Sequence, residues 1–297
     1  VNAPFLWHKT GGTWQSISWA ETARQVASLA ASLEEMGLKR GDRVMLVSEN
    51  RPEWCIADLG IMAAGCITVP TYTTNAERDH QHIIEDSGAS AIIVSTQKLA
   101  AAVMPAALRA TRAQHIIGIE PLRVGQTTGV KAHDWSALVG KTDVDVSACA
   151  AWAEGELKRE DLACIIYTSG TGGAPRGVQQ HHGAILLNVE GCVDVIANDF
   201  GWGEEVFLSF LPLSHAYEHS GGQFLPVGLG GQIYYAEGLE KLAANIEEVR
   251  PTIMVVVPRL FEVLRARMLK TVEKQGKFAQ ALLKRALNLG AKDMKRG

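Results

Sequence analysis

The chain has no apolar run long enough to cross a membrane. A spanning helix needs about 20 consecutive apolar residues, and no stretch of the 297-residue sequence approaches that length. The opening residues, Val-Asn-Ala-Pro-Phe, lack the basic and apolar regions of a signal peptide. Neither a membrane-spanning segment nor a signal peptide is therefore predicted.

Paired cysteines and an excess of charge of one sign are also missing. The five cysteines are an odd number with no C-x-x-C spacing, so neither a disulfide framework nor a metal site is predicted, and reduced thiols in a cytoplasmic protein are expected. The formal net charge of −3 gives no reason to predict nucleic-acid binding. An apolar content of 47% excludes a disordered chain and indicates a globular protein.

Helix and strand patterns alternate along the first half of the chain. Ser18-Trp-Ala-Glu21 is a capping box that predicts a helix ending near Gly37. Further helices are predicted from Pro52, over 75–85 and over 98–112, between strands at 43–48, 67–72, 91–95 and 115–119. This βαβ order predicts an α/β fold that is doubly wound, with mostly parallel sheets flanked by helices.

The second half of the chain is less regular. Residues 121–160 are polar and are expected to form loops around one short helix near Trp135. Strands are predicted at 162–166, 206–210, 233–236 and 252–257, and helices at 181–197, 239–249 and from Pro258 onward. The scattered tryptophans are expected to be packing residues, and the paired histidines His80, His82, His181 and His182 to be surface residues rather than metal ligands.

The most informative segment covers residues 167–178, which read Tyr-Thr-Ser-Gly-Thr-Gly-Gly-Ala-Pro-Arg-Gly-Val. It follows the strand predicted at 162–166, and its hydroxyl side chains alternate with glycines before Arg176. Glycines let backbone N–H groups approach an anion, hydroxyls add donors, and a guanidinium adds positive charge. The segment therefore predicts a phosphate-binding loop.

This loop matches neither of the two commonest nucleotide fingerprints. After Gly177, Val and Gln stand where a Walker A sequence has Lys and Ser or Thr. Pro175 stands where a Rossmann turn has its third glycine. The sequence also has no G-x-S-x-G, so no α/β-hydrolase nucleophile is predicted.

A second segment, Leu211-Pro-Leu-Ser-His-Ala-Tyr-Glu-His219, follows the strand predicted at 206–210. By itself, His215 could simply cap or fill a turn after a buried strand. In open α/β sheets, however, ligands bind beyond the carboxyl ends of strands. The phosphate-binding loop and His215 are therefore expected to line one cavity of about 300–1,000 Å³.

Residues 167–178 resemble the signature loop of the adenylate-forming acyl-CoA synthetase and ligase superfamily, commonly written Y-T-S-G-T-T-G-x-P-K-G-V. Gly172 replaces the second threonine, and Arg176 replaces the lysine with a charge of different geometry. Residues 211–219 resemble the motif that follows this loop in the long-chain fatty acyl-CoA synthetase branch. Residues 14–54 and 250–268 are also similar to segments of the family.

The resemblance implies a reaction and its residues. A carboxylate attacks the α-phosphate of ATP to give an acyl-adenylate and pyrophosphate, and the thiol of coenzyme A then displaces AMP. Arg176 and His215 are the implied catalytic residues, with His215 beside the acyl and adenylate pocket. The implied phosphate ligands are Thr168, Ser169, Gly170, Thr171, Gly172, Gly173 and Arg176. A long-chain fatty acid is the implied substrate. Mg²⁺ is expected with ATP, but no metal ligand is assigned in this chain.

Members of the superfamily are considerably longer than this chain. The resemblance therefore implies that residues 1–297 are the front part of the large N-terminal AMP-binding domain, and that the C-terminal domain lies outside the chain, which is expected to be inactive alone. Two alternatives stay open: a non-catalytic fragment or scaffold that binds nucleotide or lipid, and an adenylation module for an amino or aryl acid.

The last segment, residues 264–297, carries ten lysines and arginines against Glu273 and Asp293. Phe278, Leu282 and Leu289 lie at helical spacing within it. A basic amphipathic helix can contact anionic lipid or the phosphates of coenzyme A, so peripheral membrane contact is one interpretation. A solvated surface helix is the other. The oligomeric state is not predicted.

Overall fold

Two β-sheets and the helices around them account for most of the residues that the structure describes. A computed structural model describes residues 2–123, 129–168 and 174–293. The strands are β1 (Pro4–Thr10), β2 (Thr13–Ser18), β3 (Arg43–Val47), β4 (Ile67–Thr71), β5 (Ala91–Val94), β6 (His115–Gly118), β7 (Lys131–Asp134), β8 (Leu162–Thr168), β9 (Arg176–His181), β10 (Val206–Ser209) and β11 (Gln232–Tyr235).

Helices connect most of these strands. They are α1 (Trp19–Glu35), α2 (Pro52–Ala63), α3 (Glu77–Ser87), α4 (Gln97–Arg109), α5 (Trp135–Val139), α6 (Val146–Glu156), α7 (His182–Phe200), α8 (Ala216–Glu218), α9 (Leu225–Leu229), α10 (Leu242–Val249), α11 (Pro258–Lys274) and α12 (Lys277–Asp293). A π-helix, His219–Phe224, joins α8 to α9. No helix among the described residues is both long and apolar enough to span a bilayer.

The larger sheet has seven strands in the order β7-β6-β5-β3-β4-β8-β9. Its neighbouring strands are parallel except for the antiparallel pair β8–β9 at one edge. The smaller sheet has the order β10-β11-β1-β2 and is parallel except for the hairpin β1–β2. The predicted α/β fold with mostly parallel sheets and flanking helices is confirmed.

The large sheet is buried on both faces, as a doubly wound fold requires. Successive residues of a strand point to opposite faces. In β3, Val44 and Leu46 therefore pack in one core with Trp54 of α2, while Met45 and Val47 pack in another core. That second core also holds buried residues of α3 and α4, so helices cover the sheet on each side.

The start of α1 follows the predicted capping box. The Ser18 hydroxyl accepts a hydrogen bond from the backbone N–H of Glu21 at 3.2 Å, which satisfies one of the free amides of the first turn. Gly37, just after the helix, has φ +92°, a conformation that favours glycine. The sequence therefore located both ends of this helix.

Other local predictions were wrong. Helix α6 lies in the segment predicted to be loops around a single helix; it is rich in alanine and has no buried residue, so its pattern carried no amphipathic signal. Residues 252–257 do not form a strand, although Phe207 and Ile253 make one parallel bridge. His80 is fully buried on α3, whereas Trp202 is 70% exposed rather than packed.

The chain divides into two compact units, residues 1–255 and 256–297. The first unit contains both sheets. The second unit consists of α11 and α12, and helix α11 begins at Pro258 as predicted. A proline at this position has no backbone N–H to lose and a φ that suits the first turn.

Candidate active site

Residues 169–174 are called the glycine-rich segment, and the strands that precede and follow it are neighbours in the large sheet. Strand β8 ends at Thr168, β9 begins at Arg176, and these two residues are partners in the antiparallel ladder. Both are exposed. Arg176 thus belongs to a strand, which the sequence did not predict. Ser169, Gly170, Thr171, Gly172 and Gly173 lie outside the described residues.

Helix α3 holds both ends of this segment. The Tyr167 hydroxyl donates to Oδ2 of Asp86 at 2.6 Å, just before the segment. Just after it, Nε2 of His82 donates to the backbone oxygen of Pro175 at 2.8 Å. A carbonyl can only accept, so the neutral His82 ring carries its proton on Nε2. Burial, and then Asp86, raise the pKa of Tyr167 well above its ordinary value, so the phenol stays protonated and keeps donating.

His215 lies in the turn between β10 and α8. Asn50, from the loop after β3, holds this turn through its amide group, which donates to the backbone oxygen of Leu211 at 2.6 Å and accepts from the N–H of Leu213 at 3.0 Å. Nδ1 of His215 accepts from the N–H of Tyr217 at 3.2 Å. A neutral His215 ring therefore carries its proton on Nε2, which is left available as a donor on an exposed side chain.

The end of β8 and the His215 turn meet at one cavity of about 490 Å³. Its lining residues are Thr71, Tyr72, Asn75, Asp79, Ile83, Ile166, Tyr167, Thr168, Pro175, His215 and Ala216. The strands that lead to Thr168 and His215 belong to different sheets, yet these two residues line the same space. Arg176 is not among the described residues that line it.

A buried polar cluster lies behind the His215 turn. Oδ2 of Asp58, on α2, accepts from Nε2 of His219 at 2.8 Å and from Nε2 of Gln223 at 2.6 Å, and all three side chains are buried. Glu218 is also buried, and its Oε1 accepts from the Ser209 hydroxyl at 2.6 Å. These contacts fix the π-helix, a conformation often found near functional sites, against α2 and β10.

Sequence reasoning missed this cluster, although two signals were present. Asp58 is the one acidic residue in the otherwise apolar stretch 54–62, where an unpaired charge would be costly. Glu218 and His219 end the segment that contains His215. A charge inside an apolar helix and polar residues beside an apolar strand both call for buried partners.

A larger depression of about 820 Å³ lies elsewhere, between α1, α2 and α6. It shares no lining residue with the cavity at His215. Charged side chains around it are paired with acids: Nζ of Lys141 lies 2.6 Å from Glu35, and Arg40 lies 2.5 Å from Asp161. Two of its three basic side chains, Lys141 and Arg40, are thus already paired with acids, and the cavity at His215 is the better candidate site.

The described residues contain no group of three histidine, cysteine or acidic side chains arranged to hold a metal ion. Asp79 does line the cavity, but its Oδ2 accepts from the backbone N–H of Ala76 at 3.1 Å and so caps α3.

The sequence matches the family described as "AMP-binding enzyme" over residues 2–294. It is 30% identical over 254 residues to the long-chain-fatty-acid–CoA ligase FadD15 of Mycobacterium tuberculosis, covering 84% of this chain and 40% of that protein. It is 29% identical over 280 residues to the peroxisomal long chain acyl-CoA synthetase 6 of Arabidopsis thaliana, covering 93% of this chain and 38% of that one. The chain thus spans about two-fifths of the length of these relatives.

Solved structures show the same fold at lower sequence identity. The A-PCP didomain of the carboxylic acid reductase from Segniliparus rugosus, in complex with AMP, superposes with a TM-score of 0.77. The two sequences are 15% identical, and the superposition covers 95% of this chain and 44% of that one.

Proposed function

Because the chain belongs to the AMP-binding enzyme family, we propose that the protein containing it activates a long-chain fatty acid with ATP and then transfers the acyl group to coenzyme A. The first step yields an acyl-adenylate and pyrophosphate. The second yields an acyl-CoA thioester and AMP. The proposed fatty-acid specificity follows the relatives named long-chain-fatty-acid–CoA ligase and long chain acyl-CoA synthetase.

The observation that carries this proposal is the common cavity at Thr168 and His215. Thr168 leads directly into the glycine-rich segment, a composition that suits phosphate. His215 presents an Nε2 donor, which suits a carboxylate or an acyl-phosphate oxygen. A site for adenylate formation must bring these two groups of the reactants together, and a cavity of about 490 Å³ is within the range of ligand sites.

In the proposed first step, one group of residues binds the phosphates and His215 orients the carboxylate. A carboxylate oxygen of the fatty acid forms a bond to the α-phosphorus while the bond from that phosphorus to the bridging oxygen breaks, and pyrophosphate takes the electron pair. The residues proposed to hold the β- and γ-phosphates are Thr168, Ser169, Gly170, Thr171, Gly172, Gly173 and Arg176. Arg176 would neutralise charge on the departing pyrophosphate, and His215 would orient the attacking carboxylate by donating from Nε2.

Arg176 fits a phosphate because its exposed guanidinium makes no ion pair within the part of the chain that the structure describes. A guanidinium free of partners can offer two parallel donors to a phosphate. Mg²⁺ would enter with ATP, and coenzyme A would enter after pyrophosphate leaves. No residue of the described chain is assigned to either.

The runner-up function is adenylation of an amino or aryl acid, and a non-catalytic nucleotide-binding scaffold is the third. The first test is fatty-acid-dependent exchange of labelled pyrophosphate into ATP by the intact protein that contains this chain. We expect exchange with palmitate and none with benzoate, anthranilate or phenylalanine. Exchange with one of these smaller acids, but not with palmitate, would favour the runner-up.

Exchange with none of the acids would favour the scaffold, which would still bind ATP in a calorimetric titration. Arg112→Ala provides the matched control for variants at Arg176. It removes an exposed arginine outside the cavity lining and should leave exchange unchanged.

We also propose a cytoplasmic location with peripheral membrane contact. The proposed location rests on the five cysteines, which are free in the structure, since proteins of reducing compartments keep their thiols unpaired. In α12, Phe278, Leu282 and Leu289 are exposed at helical spacing, close to the basic residues Lys284 and Arg285. Such a helix can lie on an anionic bilayer.

Sedimentation with vesicles tests this contact. The protein should sediment with phosphatidylserine vesicles more than with phosphatidylcholine vesicles, and Leu282→Glu should reduce the difference. Equal sedimentation with both lipids would support the solvated-helix interpretation instead.

A further inference from the structure

We propose that the chain of hydrogen bonds from Asn50 through Ser209 to Glu218 is a positioning device for His215, and that it works with Glu218 in its protonated form. This inference rests on the function proposed above. Glu218 itself does not line the cavity. Its role is to hold the backbone that presents the His215 ring.

The chain of hydrogen bonds is continuous, and its members Ser209 and Glu218 are buried. Nδ2 of Asn50 donates to the Ser209 hydroxyl at 3.0 Å, and that hydroxyl donates to Oε1 of Glu218 at 2.6 Å. Glu218 is 1% exposed, and its second oxygen, Oε2, has no hydrogen-bond partner. A charged carboxylate would normally be fully hydrogen-bonded when buried, whereas a protonated one carries less charge that needs partners.

The network anchors the backbone on both sides of His215, the residue that it is proposed to position. Asn50 fixes the turn before His215 through Leu211 and Leu213. Glu218 ends the short helix after His215 and is held to the end of β10 by Ser209. His215 therefore lies between two anchors that belong to one hydrogen-bonded chain.

The Glu218 side chain packs closely against Gly222 of the π-helix. A Cβ atom at Gly222 would lie 2.4 Å from Oε1 of Glu218, so the glycine makes space for this side chain. Asp58, on α2, already accepts hydrogen bonds from His219 and Gln223 of the π-helix. Because both already donate to Asp58, neither His219 nor Gln223 is free to compensate a charge on Glu218.

Burial raises the pKa of Glu218 to about 8, because the Ser209 and Phe210 hydrogen bonds that favour the charged form offset burial only in part. Tyr235 on β11 interacts electrostatically with Glu218, and His219, the next residue along the chain, is paired with Asp58. Burial also raises the pKa of Tyr235 well above its usual range, so this phenol stays neutral and cannot balance a negative charge on Glu218. Ionised Glu218 would be a buried charge without a cation, and hydrating it requires the His215 turn to open.

The test compares the wild type with Glu218→Gln in the intact protein, since glutamine keeps the shape and stays neutral at every pH. The assay is palmitate-dependent pyrophosphate exchange, which does not involve the titratable thiol of coenzyme A. With a pKa of about 8, the protonated fraction of Glu218 falls about tenfold between pH 7 and pH 9. Wild-type exchange should fall by a similar factor, and Glu218→Gln should lack this alkaline limb.

Ser209→Ala is the second variant. The Ser209 hydrogen bond lowers the pKa of Glu218, so removing it should move the alkaline limb of exchange to higher pH. A purely structural role would lower the rate without moving the limb. The same alkaline limb in the wild type and in Glu218→Gln would overturn the proposal.

Two spectroscopic readouts do not depend on the proposed reaction. Infrared spectra should show a protonated carboxyl band that is lost near pH 8 in the wild type and is absent from Glu218→Gln. Nitrogen-15 spectra of labelled histidine should show His215 as the Nε2–H form at pH 7.5, changing above pH 8 in the wild type alone. If these signals behave as described but no acid supports exchange, the proposed function fails and the positioning device stands.

Discussion

Arg176 and His215 are exposed, while the residues that fix their backbones are buried or anchored from other elements. An exposed donor costs little to present, because water satisfies it until a ligand arrives. The backbone that carries the donor must nevertheless be held in place, because a donor whose position fluctuates cannot orient the reacting groups of a ligand. At the scale of single residues, the site therefore combines available donors with constrained supports.

Arg176 gives the most direct test of the phosphate proposal. In the intact protein, Arg176→Ala should lower kcat/KM for ATP by about 100-fold or more, because a charge-assisted phosphate contact strengthens in the transition state. Arg176→Lys should be milder, since it keeps the charge and loses only the paired donors. Steady-state kinetics with varied ATP measure both. Unchanged kinetics in Arg176→Ala would remove the residue from the site.

Gly222 and Gly191 form a matched pair for stability. Gly222→Ala places a methyl group against Glu218 and should destabilise the fold by about 1–3 kcal/mol. Gly191, within α7, has no atom within 4 Å of the position of a Cβ, so Gly191→Ala should stabilise by about 0.5–1 kcal/mol through helix propensity. Urea unfolding measures both. A neutral Gly222→Ala would show that Glu218 is free to move aside.

At the scale of elements, α3 is the support of the glycine-rich segment. Its Asp86 and His82 bind the residues just before and just after that segment. The rings of His82 and Tyr167 also meet edge to face, with centroids 6.2 Å apart. One helix thus sets the position of both ends at once.

This arrangement predicts coupled effects of two substitutions. Tyr167→Phe and His82→Ala should each lower kcat/KM for ATP by about tenfold, because each frees one end of the segment. The double variant should lose less than the product of the two, since both bonds serve the same positioning. Fully multiplicative losses would mean that the two ends act independently. Glu85→Ala, which removes an exposed side chain of the same helix outside the cavity lining, is the control.

The sequence predicted the βαβ order and the two strand-ending segments because hydrophobic periodicity and turn chemistry are local signals. It did not predict that residues 176–181 pair with β8, because this strand is polar and mostly exposed. Nor did it predict the Asn50–Ser209–Glu218 chain, in which the hydrogen-bonded residues Asn50 and Ser209 are 159 positions apart in the sequence. Contacts of that range depend on the packing of whole elements and leave no periodic trace.

At the scale of the whole molecule, the candidate site depends on two sheets. The large sheet supplies Thr168 and the small sheet leads to His215. A cavity between such layers is a usual place for a ligand, since each sheet can present the ends of its strands. The proposed division between phosphate binding and carboxylate orientation follows the division between the sheets.

The 297-residue chain by itself is expected to show no synthetase turnover. It spans about 40% of the length of a relative such as FadD15, and the remainder of such relatives would have to supply the other contacts to the reactants. Pyrophosphate release with ATP, Mg²⁺, palmitate and coenzyme A is the measurement. Turnover at about 1 s⁻¹ or faster, as in ordinary enzymes, would show that these 297 residues suffice.

The pairing of Thr168 with Arg176 has an entropic consequence for ligand binding. Closing a loop costs free energy that grows only slowly with its length, by about 0.6 kcal/mol for each doubling. The β8–β9 ladder already holds Thr168 next to Arg176 in the folded protein. The free energy of bringing the two ends of residues 169–175 together is therefore lost on folding and not on ligand binding. The proposed phosphate binding therefore does not have to bring Thr168 and Arg176 together, and lengthening the segment between them should weaken that binding only slightly.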